Sequence, residues 1–152
     1  MRLHTMMTRF ALLALLAIPL VANASPSHMK IAADNEPGQR IMINGRVFGS
    51  DGKPHGGVEM YAYHTDAQGL YRRDRSKGPA RLGGTLVTAS DGSYSIDTIK
   101  PAPYPNRDIP AHIHIRLRGP GINQQDEIRF EGNGPTICHL IQNRCNVDFR
   151  LR

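Results

Sequence analysis

Apolar and polar residues alternate in short runs along most of this chain, the period of a strand with one buried face. Ile41, Ile43 and Val47 lie on one side of such a run, interrupted at Gly45. Gly49-Ser50-Asp51-Gly52-Lys53-Pro54 reads as a turn. Val58, Met60 and Ala62 then alternate with Glu59, Tyr61 and Tyr63, which predicts a second strand. Further strands are expected over 85–88, 94–99, 111–118, 126–131 and 146–151. Between them, 66–84 reads as a surface excursion carrying Gly69, Gly78, Pro79 and several arginines. Residues 100–110 hold four prolines and cannot form regular structure. No stretch beyond residue 25 has the pattern of a helix of ten or more residues. Many short strands separated by turns predict an all-β chain, a single antiparallel β-sandwich over 40–152.

The N-terminus breaks this pattern. Arg2 and Arg9 precede an apolar run of 12 residues, and Ala22-Asn23-Ala24 has the small-x-small form of a cleavage site. Residues 1–24 therefore read as a secretory signal peptide, cut before Ser25, and 25–39 as a flexible leader. The apolar run is shorter than the roughly 20 residues a membrane-spanning helix needs, and no other run is longer, so no membrane span is expected. An exported product, periplasmic or extracellular, follows. Cleavage changes the charge: the full 152 residues carry 19 Lys+Arg and 13 Asp+Glu, net +6, and loss of Arg2 and Arg9 leaves 17 basic residues against 13 acidic, net +4. These charges are scattered, with no basic arm, which argues against a nucleic-acid partner. Gly and Pro together make up 26 of 152 residues, fitting a turn-rich β protein. In an exported chain the only two cysteines, Cys138 and Cys145, are expected to pair as a disulfide.

Candidate chemistry centres on His112-Ile113-His114. On a strand, positions i and i+2 share a face, so both imidazoles project together while Ile113 and Ile115 turn toward a core. Two adjacent imidazoles are a two-nitrogen metal platform. Tyr104, between Pro103 and Pro105, and Tyr71, in the long excursion, are the phenols that could join them. Phenolate oxygen is a hard donor suited to a hard cation such as Fe(III), and the cation overcomes a phenol's ordinary value near 10. Spacing alone does not bring these four residues together.

The order of motifs does more. Gly45-Arg46-Val47 through Gly52-Lys53-Pro54, Gly57-Val58-Glu59 and Gly69-Leu70-Tyr71 resemble the intradiol ring-cleavage dioxygenases, the protocatechuate and catechol dioxygenases. So do Thr88-Ala89-Ser90-Asp91-Gly92, Tyr104-Pro105 and Pro110-Ala111-His112-Ile113-His114. The likeness runs over about 41–132. It implies a β-sandwich with a non-haem Fe(III) held by Tyr71, Tyr104, His112 and His114. It also implies a small catecholic aromatic and O2 as substrates, and cleavage between the two hydroxyl-bearing carbons to a cis,cis-muconate. Tyr104 is then also catalytic, leaving the metal when substrate arrives. Two positions depart from the family. Ile109 stands where an arginine is usual, with Arg107 two residues earlier as its candidate replacement. Glu127 stands where the family carries a glutamine near the substrate.

Two other readings compete. A non-catalytic transthyretin-like binding module would share the Gly-x-Val opening but has no use for all four donors. A copper or zinc site would add His64 or His139 to His112 and His114.

Overall fold

The computed structural model describes residues 27–152; the proposed signal peptide lies outside them. Nine strands follow in chain order: β1 Ser27–Lys30, β2 Arg40–Phe48, β3 Glu59–His64, β4 Leu82–Val87, β5 Ser93–Ile99, β6 His112–Gly119, β7 Ile122–Arg129, β8 Arg144–Asn146 and β9 Phe149–Arg150. Among the described residues there is no helix. The first sheet has the order β1-β5-β2-β8, with β9 also paired to β2; the second is β4-β3-β6-β7.

The alternation in the sequence places the core. Ile41, Ile43 and Val47 from β2 and Ile96 from β5 meet Met60 and Ala62 from β3 and Ile113, Ile115 and Leu117 from β6, all at most 2% exposed. At about 25 cal/mol per Å² of apolar surface removed from water, this shared layer is the main source of stability. It also fixes register: a one-residue slip of β6 would bury His112 and His114 and expose Ile113 and Ile115. The Cys138–Cys145 disulfide forms, as expected, just before and within β8.

Several features differ from the sequence reading, among them the start of β4 at Leu82, inside the excursion read over 66–84, and the division of the strand expected over 146–151 into β8 and β9. The supposed leader over 25–39 contains β1, which pairs in parallel with β5 and touches β4. Its four residues are too few and too polar to show a period. The first sheet is mixed, because β1/β5, β2/β8 and β2/β9 are all parallel pairs; only the second is antiparallel throughout. Finally, β7 begins at Ile122 rather than 126. Asn123, Gln124, Gln125 and Asp126 look like loop because β7 is an edge strand with little buried surface. Its pairing with β6 through the Pro120-Gly121 turn makes it a strand.

Candidate metal centre

The predicted donors come from three places. His112 and His114 lie on the outward face of β6. Tyr71 sits in the β3–β4 connection and Tyr104 in the proline-rich β5–β6 connection. These two loops are stitched together. The Thr65 hydroxyl donates to Ala102 O at 2.7 Å, and the Ala102 N–H donates to Asp66 O at 3.1 Å. The buried Asp66 carboxylate accepts the Gln68 and Leu70 N–H groups, both at 3.0 Å, which curls the chain just before Tyr71. Gly69 completes the curl with φ +78°, and a Cβ there would lie 2.1 Å from Pro103 O. Only glycine tolerates both that dihedral and that approach. Behind Tyr71, the Arg81 N–H donates to Tyr71 O, and the Arg81 guanidinium grips both oxygens of Glu36 at 2.7 Å. Glu36 lies in the segment read as leader, so that segment braces the site.

The result is convergence. Tyr71 Oη hydrogen-bonds Tyr104 Oη and lies 2.9 Å from His114 Nε2. Tyr104 Oη is 3.3 Å from His114 Nε2 and 3.4 Å from His112 Nε2, and the two Nε2 atoms are 3.1 Å apart. His112 Nδ1 lies 2.8 Å from Pro110 O. A carbonyl can only accept, so Nδ1 carries the proton and the Nε2 lone pair faces the other donors. His114 is packed flat against Tyr63, with ring centroids 4.6 Å apart. Burial, the Tyr104 hydrogen bond and charge repulsion from Tyr104 push the Tyr71 phenol well above its ordinary range. Burial, and then the neighbouring His112, lower His114. By themselves Tyr71 and His114 therefore favour their neutral forms, and two oxygen and two nitrogen donors crowd around one point. A trivalent cation would reverse that preference by stabilising phenolate. Hard oxygen beside imidazole nitrogen suits Fe(III), so the residues fit the metal the resemblance implies.

The donors open onto a cavity of about 770 Å³, also lined by Arg72, Arg107, Ile109 and Glu127. Arg107 sits exposed at its mouth, and its side chain makes no hydrogen bond to any of the four donors; Ile109 shares the rim. Glu127 is directly opposite His114 across the β6/β7 pair. Its Oε1 lies 3.8 Å from His114 Nδ1, and its Oε2 accepts the Arg129 Nε and Nη2 groups at 3.1 Å. The copper or zinc reading loses its third ligand, since His64 is 1% exposed with Nδ1 donating to Thr65 O and Nε2 accepting from the Thr98 hydroxyl, both at 2.7 Å. His139 is exposed and stands outside the one His/Cys/Asp/Glu cluster among the described residues, His112, His114 and Glu127. Sequence reasoning missed Tyr63, Glu36, Arg81 and Arg129. Tyr63 alone left a trace, as an outward position of a strand that alternation had already placed.

Comparison with known proteins identifies the family. A family model described as dioxygenase matches residues 18–148. The chain is 28% identical over 130 residues to catechol 1,2-dioxygenase 2 of Acinetobacter lwoffii, covering 74% of this chain and 47% of that protein. It is 36% identical over 98 residues to the protocatechuate 3,4-dioxygenase beta chain of Burkholderia cepacia, covering 57% and 42%. The chain thus spans about half the length of the curated relatives it matches. Among solved structures, the dioxygenase domain of a carbohydrate-binding fusion protein from Streptomyces sp. SirexAA-E superposes with a TM-score of 0.67 at 26% identity, over 80% of this chain and 85% of that one. The 3-chlorocatechol 1,2-dioxygenase of Rhodococcus opacus 1CP shares the fold, with a TM-score of 0.68 at 19% identity over 80% and 63%. With the family model covering most of its length and the motif residues gathered at one point, this chain belongs to the intradiol ring-cleavage dioxygenase family.

Proposed function

We propose that the protein is an exported, Fe(III)-dependent intradiol dioxygenase that opens a catecholic ring with O2 to a cis,cis-muconate-type product. The observation that carries this reading is the meeting of Tyr71 Oη, Tyr104 Oη, His112 Nε2 and His114 Nε2, with every measured separation at most 3.4 Å. These four side chains would hold the metal. Iron bound there would act as template and Lewis acid for a chelating catecholate. The chain's own part is to position and to move protons. Pro110 O holds the His112 tautomer, Tyr63 holds the His114 ring, and the stitched loops hold the two phenols. With iron bound, Tyr104 would be held as phenolate, and its Oη would be the base that takes up a catechol proton and becomes phenol as the substrate enters the cavity. Arg107, exposed and lining the cavity together with Arg72 and Arg75, is one of the cations available to the anionic product. Export is favoured by the disulfide, which suits an oxidising compartment. No helix among the described residues is long and apolar enough to cross a membrane.

The test is colour. Mature protein reconstituted with iron is expected to show the broad visible band of ferric tyrosinate, and Tyr104→Phe with His112→Ala to bleach it. Oxygen uptake with catechol, protocatechuate and hydroxyquinol then identifies the substrate. A colourless protein that takes up no iron would return the chain to the binding-module reading. N-terminal sequencing of the exported form should begin at Ser25; retention of residues 1–24 would refute export by cleavage.

A further inference from the structure

The outward face of β6 and β7 carries a square of four side chains. His112 opposes Arg129 and His114 opposes Glu127, and directly opposed residues bring their Cβ atoms within about 5 Å. Glu127 divides its two oxygens within this square. Oε2 takes two N–H groups of Arg129 at 3.1 Å, which fixes the carboxylate. Oε1 is left pointing at His114 Nδ1, 3.8 Å away. His114 spends Nε2 on Tyr71, Tyr104 and His112. Among the described residues its Nδ1 makes no hydrogen bond, and Glu127 is the carboxylate within ion-pair reach. Tyr63 covers the ring's face at 4.6 Å, which limits its tilt.

We infer that Glu127 is a positioning residue acting through His114: its carboxylate, held by Arg129, fixes the Nδ1–H tautomer and adds negative charge behind the metal-facing Nε2. The inference rests on the proposed iron site and moves Glu127 from the substrate side to the back of a ligand. At 3.8 Å the contact is an ion-pair distance, longer than a hydrogen bond. A cation on Nε2 would make the Nδ1 proton a stronger donor toward this carboxylate. A carboxylate behind a ligating histidine raises the basicity of the ring, and loss of such a partner typically weakens metal binding about 10–100-fold. A glutamine here could still accept the proton but would contribute no charge, so this chain builds a more electron-rich centre than a glutamine at the same position would.

Two variants separate acceptor from charge. Glu127→Gln keeps an acceptor of the same shape, and Glu127→Ala removes it. In metal-free protein, ¹⁵N imidazole spectra should show His114 protonated at Nδ1 in the wild type and Glu127→Gln, and a mixed tautomer in Glu127→Ala. In iron-loaded protein, the visible band should move to longer wavelength in both variants, because a less electron-rich ferric centre accepts phenolate charge more easily. Iron affinity should fall about 10–100-fold in Glu127→Ala and less in Glu127→Gln. Identical His114 tautomers in all three folded proteins would overturn the inference. So would an unmoved band with unchanged affinity. A wild type that takes up no iron would sink the iron reading instead, and the metal-free spectra would then decide the role of Glu127 alone.

Discussion

Replacing Gly69 by alanine tests whether the apposition of two loops builds the donor cluster. Gly69 adopts φ +78°, and the new Cβ would lie 2.1 Å from Pro103 O and 3.0 Å from Pro105 Cδ. The first cost is conformational, about 1–2 kcal/mol for a side chain in the left-handed region. The second is steric. Ordinary contact begins near 3.4 Å, so the Tyr71 loop and the Tyr104 loop must part by about 1 Å. Tyr71 and Tyr104 Oη now hydrogen-bond each other, and a displacement of that size breaks the contact. Misplacement of about 1 Å is enough to cost on the order of 10²-fold where geometry governs function. Gly57→Ala is the control: it shares the dihedral penalty, with φ +74°, but its Cβ meets nothing within 4 Å. Urea unfolding of metal-free protein should show Gly57→Ala destabilised by about 1–2 kcal/mol and Gly69→Ala by more. Iron titration should show Gly57→Ala binding like wild type and Gly69→Ala at least tenfold weaker. Equal losses of stability, with wild-type iron binding in Gly69→Ala, would refute the argument that this close approach sets the site.

Contacts elsewhere in the molecule set further expectations. Glu36→Ala removes the acceptor for Arg81 and Arg73 and should cost about 1–3 kcal/mol in urea melts, with faster proteolysis within 66–81; unchanged proteolysis would show that the brace is unimportant. The hydrogen bond from Arg81 holds the Glu36 carboxyl below its ordinary 4.5, so its stabilisation is present above that pH and lost as pH falls through the lower folded value. Burial lowers His64 below its ordinary 6.5, so the unfolded chain binds the proton more readily. Stability should therefore fall as pH drops through 6.5, and imidazole spectra should show His64 titrating below that value; an ordinary midpoint would contradict its burial. Paired replacement of Cys138 and Cys145 by alanine opens a short cross-linked loop, with the cysteines seven positions apart. It should cost about 2–3 kcal/mol, read as a lower urea midpoint; an unchanged midpoint would count against the disulfide as a staple.

Much of this protein is legible along the chain itself. Alternation at Ile41, Ile43 and Val47, at Met60 and Ala62, and at Ile113 and Ile115 fixes which face of each strand is buried, because burial of apolar surface is the dominant folding force and strands have period two. The same rule puts His112 and His114 together on the opposite face. The pairing of Cys138 with Cys145 follows from there being only two cysteines. What short-range pattern could not carry depends on distant partners. β1 and β7 are strands because β5 and β6 supply their hydrogen bonds, while their own residues are polar and lightly buried. Glu36 acts on Tyr71 through Arg81, across the chain from a segment with no pattern of its own. The convergence of Tyr71, 33 residues from Tyr104, on His112 and His114 is a property of two loops pressed together at Gly69 and Pro103. Sequence determined the core strands, their inward faces and the donor types; tertiary structure decided the polar edge strands and which donors meet, because both are set by backbone contacts between segments that carry no mutual signal along the chain.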